Sequence, residues 1–226
     1  MTVAVYFVRK GPNEELRYSL RSVEANLPEI TDVVIVGHAE PWLRNVTVIP
    51  GNRHGNNKPR NVWGNVRIAA EHPDLPAEIV YMNDDFLITE PAAVGVYWRD
   101  TLDAHIEALQ KAWWRHSLEA TRDYLHALGI AQPLSYELHR PFRVVREQMA
   151  QTLAEAAHVQ PLNPPQWRTL YGNQWAIGGT QDSDGKMYPR IAAMPDGPWV
   201  STTDGSFAAL RDRLEVAFPQ PSRWER

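Results

Sequence analysis

The chain has 226 residues, 43% of them apolar, which is typical of one sizeable folded domain. A net charge of −4 excludes a general basic field for nucleic acid, and the lack of cysteine excludes disulfides, thiolate metal sites and a cysteine nucleophile. No apolar run approaches the ~18–20 residues of a transmembrane helix, and Met1–Val8 resembles a first strand more than a signal peptide. We therefore expect a soluble, cytoplasmic protein.

Strands and helices alternate in the first half. The patterns predict strands at Val3–Val8, Val33–Val36, Val46–Ile49 and Ile79–Met82. They predict helices from Asn13 to Leu27 and from Asn61 to Glu71. This order is typical of an α/β fold with a mostly parallel sheet flanked by helices.

The second half is mainly helical by the same criteria. The pattern of residues 101–128 predicts a helix that ends at Gly129. Trp113 and Trp114, in the middle of this helix, are expected to pack within a helical insertion or cap. Pro141 is expected in the first turn of a helix that runs to about residue 157. Residues 160–198 predict irregular structure, followed by a strand at Val200–Thr203 and a helix at Ser206–Ala217.

Two adjacent carboxylates, Asp84 and Asp85, follow Asn83 at the end of the fourth predicted strand. Ligands of open α/β sheets bind beyond the carboxyl ends of the strands, which is where these side chains are expected. Charge buried there requires compensation, and a divalent cation bound with substrate phosphates would provide it. An ordinary Asn-Asp turn explains the same residues equally well.

Several segments, taken in order, resemble the Stealth family of sugar-1-phosphate transferases. The first are Glu15-Leu-Arg-Tyr-Ser-Leu-Arg-Ser-Val-Glu24 with Val33–Val36, and Ile79-Val-Tyr-Met-Asn-Asp-Asp-Phe86. The others are His139-Arg-Pro-Phe-Arg143, and Thr203-Asp204 with Phe218-Pro-Gln-Pro-Ser-Arg-Trp-Glu225. Members make bacterial capsules, and the lysosomal N-acetylglucosamine-1-phosphate transferase belongs to the same family.

The resemblance implies a GT-A-like, nucleotide-sugar-binding fold. In a single domain of 226 residues, it assigns residues 1–98 to nucleotide-sugar binding, 99–160 to a helical cap, and 161–226 to the segment that completes the site. The implied cofactor is Mg²⁺ or Mn²⁺. The implied partners are a nucleotide-sugar donor and a hydroxyl-bearing acceptor, such as a saccharide or another polymer.

The same resemblance assigns residues to roles. The metal ligands would be Asp84, Asp85 and Asp204, and the catalytic groups would be His139, Arg168, Asp85 and Asp204. The donor and acceptor would be bound by Arg17, Arg21, Lys58, Arg60 and Asn83. Simpler roles also fit the residues: His139 and Asp204 could cap helices, and the arginines could form solvated edges.

Three functions remain open from the sequence. The leading one is metal-dependent transfer of sugar-1-phosphate to a hydroxyl, with release of a nucleoside monophosphate. A true glycosyltransferase on the same scaffold would release a nucleoside diphosphate. A carbohydrate- or partner-binding protein without catalysis would retain the aromatic residues but turn over no donor.

Overall fold

A five-stranded sheet forms the centre of the protein in the computed structural model, which describes residues 2–52, 55–189 and 197–226. The first half contains β1 (Thr2–Val8), α1 (Glu14–Asn26), β2 (Ile30–Gly37), β3 (Thr47–Ile49), α2 (Lys58–Glu71), β4 (Glu78–Asn83), β5 (Phe86–Ile88) and β6 (Tyr97–Trp98). The second half contains β7 (Asp100–Thr101), α3 (Leu102–Ala108), α4 (Ala112–Ala127), β8 (Leu134–Ser135), β9 (Phe142–Val145), α5 (Arg146–Glu155), α6 (Trp167–Gln174), β10 (Thr180–Gln181), β11 (Trp199–Ser201) and α7 (Asp204–Ala217).

The strand order of the central sheet is β3-β2-β1-β4-β9. β1 runs parallel to β2 and β4, and β2 runs parallel to β3. Only β9, at one edge, is antiparallel to its neighbour β4. The prediction of an α/β fold with a mostly parallel sheet flanked by helices is confirmed.

Alternation along the strands gives the sheet two apolar faces. On one face, Ala4 and Tyr6 of β1 pack with Leu16, Leu20 and Val23 of α1. On the other face, α2, α5 and α6 cover the strands; Val3, Val5, Val66, Met149 and Tyr171 share this second core. Two covered faces explain why the strands contain nearly continuous apolar runs.

A smaller antiparallel sheet lies beside the central one. β5 pairs with β11, which places Ser201 opposite Phe86. α7 covers this pair through Phe207, Leu210 and Leu214. The chain therefore passes from the parallel strand β4 through Asp84 and Asp85 directly into a second sheet.

The predicted helical half differs from the structure at three places. Residues 101–128 form two helices, α3 and α4, that meet at Leu109–Lys111. Pro141 precedes the strand β9, not a helix, and the helix α5 begins only at Arg146. Residues 167–174, predicted as irregular, form α6. None of the described helices is long and apolar enough to cross a membrane.

Candidate functional site

The first of two adjoining cavities lies at the carboxyl ends of the parallel strands. It has a volume of about 660 Å³. Val8 of β1, Gly37 of β2 and Asn83 of β4 line it, and so does the following residue, Asp84. The position matches the rule that α/β sheets bind ligands beyond these strand ends.

Two glycines bring the chain after β3 against the end of β2. Gly37 has φ +124°, and a Cβ there would lie 2.2 Å from the carbonyl oxygen of Val8. A Cβ at Gly51 would lie 2.8 Å from the Cα of Gly37. No larger residue fits either approach. Arg53 and His54, which follow in the chain, lie outside the described residues.

Basic and amide groups dominate the wall of the first cavity. Arg9 and Lys10 follow β1, and Lys58 begins α2. Asn57 caps α2, because its Oδ1 accepts a hydrogen bond from the backbone N–H of Arg60 at 3.0 Å. Three side-chain cations beside a helix N-terminus provide a positive field suited to an anion.

Asp84 is the acidic exception in the first cavity. Burial, together with the nearby Asp85 and Glu15, raises the pKa of its carboxyl from 3.8 to about 7, against an opposing effect of Arg9. The folded protein therefore holds a carboxyl that titrates near neutrality at the edge of a cavity. A perturbed carboxyl in such a place is typical of functional sites.

Asp85, the next residue, binds a lysine. Lys186 Nζ donates to Asp85 Oδ2 at 2.6 Å, and Ser201 Oγ donates to the same oxygen at 2.7 Å. Lys186 was not among the residues predicted from the sequence. The Asp85 carboxylate is thus already compensated by a charge from the chain itself.

The predicted metal ligands are not gathered into one site. Asp204 forms a 3.5 Å ion pair with Arg9, and its side chain is 89% exposed. It is the first residue of α7, which is capped by Thr203 rather than by Asp204. Across residues 2–52, 55–189 and 197–226, no group of three or more His, Cys, Asp or Glu side chains is placed to hold a metal ion. The described side chains therefore do not by themselves fit the predicted Mg²⁺ or Mn²⁺.

The second cavity, about 420 Å³, adjoins the first and is walled by aromatic rings. The two cavities share Lys58, Val62 and Asn83. The aromatic side chains that line the second cavity are Trp63, Trp113, Trp114, Trp167 and Tyr188. The expectation that Trp113 packs inside the helical half is wrong, because its side chain lines this cavity and is 56% exposed.

His139 lies in the second cavity with its imidazole held by a carboxylate. Its backbone N–H donates to Asp184 Oδ1 at 2.9 Å, and its Nδ1 lies 2.8 Å from Asp184 Oδ2. Burial opposes ionisation of Asp184, but the hydrogen bonds and charge of His139, together with Arg99, outweigh it and hold the pKa at about 2. An ionised Asp184 can only accept, so we infer that Nδ1 carries a proton and that, in the neutral imidazole, Nε2 is left to accept one.

The place of His139 in the fold differs from the prediction. Since Pro141 leads into β9, His139 lies in a loop and not at a helix N-terminus. Asp184 was not foreseen, although the segment Asp182-Ser183-Asp184-Gly185-Lys186 carries an unusual density of charge for its surroundings. It lies 45 residues from its partner in sequence, and no local pattern links the two.

Arg168 lies in the same cavity as His139. Its guanidinium stacks on the ring of the neighbouring Trp167, with Cζ 4.3 Å from the ring centroid. Its Nε is buried without a hydrogen-bond partner among the described residues. Glu137, nearby, is tied to Thr169, and burial raises the pKa of its carboxyl. A buried unpartnered donor beside a cavity is a site to which a ligand oxygen would bind.

Only two of the other predicted binding residues reach the cavities. Lys58 and Asn83 line both cavities. Arg17 and Arg21 line neither, because both bind Glu225 near the C-terminus, Arg21 through two 2.9 Å hydrogen bonds. Arg60 also lines neither cavity.

Comparisons with known proteins give a fold likeness only. No family model matches the chain, and no curated protein matches it, so neither comparison supports the resemblance to Stealth proteins. The galactosyltransferase LgtC, in complex with donor and acceptor sugar analogues, is similar at 12% identity and a TM-score of 0.46, over 80% of this chain and 72% of that one. An active-site mutant of LgtC is similar over the same shares, at 11% identity and a TM-score of 0.46. Likeness at this level carries no argument about function.

Asp84 gives the protein a predicted pH dependence. Because its pKa is raised on folding, the stability that its proton contributes is complete below about pH 4 and is lost as the pH rises towards 7. We expect Asp84→Asn to raise the Tm more at pH 8 than at pH 5, by about 2–4 °C for each kcal/mol relieved. Asp212→Asn, an exposed change on α7, is the matched control. Equal Tm shifts for Asp84→Asn at both pH values would show that folding does not raise the pKa of the Asp84 carboxyl.

Proposed function

We propose that this protein transfers a sugar-1-phosphate from a nucleotide-sugar donor to a hydroxyl of an acceptor saccharide. One observation carries the proposal: a basic, amide-rich cavity and an aromatic cavity meet at Lys58, Val62 and Asn83, at the carboxyl ends of parallel strands. A transferase needs two substrates with their reacting atoms adjacent. The shared wall is where those atoms would meet.

The first cavity is proposed to bind the nucleotide and its diphosphate. Its volume of about 660 Å³ suits a ligand of that size. Arg9, Lys10 and Lys58 supply positive charge, and the N-terminus of α2 adds backbone N–H groups. The amide side chains of the wall can hydrogen-bond a base and a ribose.

The second cavity is proposed to bind the acceptor. Its tryptophan and tyrosine rings offer flat apolar surfaces for the C–H faces of a sugar ring, while their N–H and O–H groups can bond to hydroxyls. His139, in the same wall, is placed to meet one of those hydroxyls. The acceptor is therefore proposed to be a saccharide.

The proposed reaction is a displacement at the phosphorus next to the sugar. The acceptor oxygen forms a bond to phosphorus, and the bond from phosphorus to the nucleoside monophosphate oxygen breaks. His139 Nε2 takes the acceptor proton while Asp184 holds the ring and stabilises the imidazolium. Arg168 faces the charge on the phosphoryl oxygens, and Lys58, at the junction of the cavities, faces the departing nucleotide.

A panel of nucleotide sugars and simple acceptor saccharides tests the proposal through the released nucleotide. We expect a nucleoside monophosphate, because the sugar leaves with its phosphate. Release of a nucleoside diphosphate would assign the same site to glycosyl transfer. Binding of a donor without any release would assign it to a carbohydrate- or partner-binding protein.

A further inference from the structure

The ammonium group of Lys186 binds the Asp85 carboxylate, which was predicted to bind a metal ion. Lys186 Nζ donates to Asp85 Oδ2 at 2.6 Å and to Ser201 Oγ at 3.0 Å, and it also donates to the carbonyl oxygen of Thr202. An ammonium group has three donors, and these three acceptors use all of them. The side chains of Lys186 and Asp85 are each only 15% exposed.

Backbone pairing fixes Lys186 in this place. The N–H of Ser201 donates to the carbonyl of Gly185 at 3.0 Å, and the N–H of Met187 donates to the carbonyl of Ser201 at 2.7 Å. These bonds attach residues 185–187 to β11, whose partner β5 follows Asp85 directly. A Cβ at Gly185 would lie 2.0 Å from the carbonyl oxygen of Trp199, so only glycine permits this approach.

We infer that Lys186 takes the place of a divalent ion at Asp85, and that the Asp84–Asp85 pair of this chain binds neither Mg²⁺ nor Mn²⁺. A metal ion at Asp85 Oδ2 would meet the ammonium at contact distance, where like charges repel strongly. With Asp85 bound to Lys186, the described residues leave no group of three or more carboxylate or imidazole ligands around Asp84, too few protein ligands for a hard divalent cation on its own. As a consequence that rests on the proposed function, no divalent ion links Asp85 to the donor diphosphate.

A titration of the protein with Mn²⁺ alone, followed by the electron paramagnetic resonance of free Mn²⁺, tests this inference. We expect no Mn²⁺ bound at the Asp84–Asp85 pair of the wild type. Lys186→Met removes the ammonium and keeps the apolar stem, and we expect it to bind one Mn²⁺ with a Kd at least about tenfold below the highest Mn²⁺ concentration at which the wild type binds none. Adding Asp85→Asn to Lys186→Met should abolish that gain. Lys111→Met, which removes a cation from the second cavity without touching Asp85, is the control.

Two results would overturn the inference. The first is Mn²⁺ binding by the wild type that is lost in Asp85→Asn or Asp84→Asn. The second is a folded Lys186→Met variant that binds no more Mn²⁺ than the wild type. If Lys186→Met does not fold, the wild type against Asp84→Asn decides: equal absence of bound Mn²⁺ supports the inference. Turnover that survives excess EDTA adds support if the proposed function holds, and the Mn²⁺ titration remains decisive if no turnover is found.

Discussion

Replacing His139 by alanine is expected to lower kcat by about 10²–10⁴-fold, the usual effect of losing a general base. Donor affinity should change little, because His139 lines the second cavity and not the first. The imidazole is held at Nδ1 by Asp184 at 2.8 Å, so that its Nε2 can accept the proton of the acceptor hydroxyl. Steady-state rates and donor binding of the variant, measured side by side, separate the two effects.

Asp184→Asn tests the orientation of the imidazole separately. An amide at this position can donate to Nδ1 and favour the other tautomer, so we expect a lowered kcat with a donor affinity close to that of the wild type. His126→Ala, an exposed change on α4, is the matched control for His139→Ala. A His139→Ala variant with nearly normal kcat would remove His139 from the chemistry.

Arg168→Met is expected to reduce kcat by about 10²–10³-fold, the effect of losing one donor to developing charge. Methionine keeps an apolar stem against Trp167 but removes the guanidinium, whose Nε is buried with no hydrogen-bond partner in the part of the chain that the structure describes. Arg168→Lys keeps the charge but loses the planar fork that grips phosphate oxygens, and we expect it to recover only part of the rate.

Arg67→Met controls for the general loss of an arginine, since Arg67 forms a half-exposed pair with Glu71 on α2. Thermal unfolding of each variant checks that the fold is intact. If Arg168→Met turned over donor at the wild-type rate, Arg168 would be a packing residue that stacks on Trp167 and nothing more.

Much of the sheet could be predicted because its signals are local. The sheet is covered on both faces, which explains the apolar runs of β1, β2 and β4. One face of α1 is buried, which explains the helical spacing of Leu16, Leu20 and Val23. Because the end of β4 could be read from the sequence, Asn83 and Asp84 could be assigned to the carboxyl edge of the sheet, where the first cavity lies.

Helix α6 escaped prediction because tertiary packing determines it. Its residues include Gly172 and Asn173, which are poor helix formers. A Cβ at Gly172 would lie 2.4 Å from the Tyr136 ring, so the glycine is needed for the helix to pack there. In isolation, eight such residues would not form a stable helix.

Two charge pairs that involve predicted site residues were also beyond local inference. Lys186 lies 101 residues from Asp85, and Arg21 lies 204 residues from Glu225. Sequence reasoning assigned Asp85 to a metal and Arg21 to a substrate because each side chain was considered without its distant partner. Both pairs form only once β5 and β11, or α1 and the C-terminal segment, have been brought together.

The most direct test follows the phosphate next to the sugar. The protein is incubated with a donor labelled at that phosphate and with an acceptor saccharide, and the products are separated. The proposed reaction predicts that the label is found in the acceptor product, with unlabelled nucleoside monophosphate released. Label found only in released nucleoside diphosphate would contradict sugar-phosphate transfer.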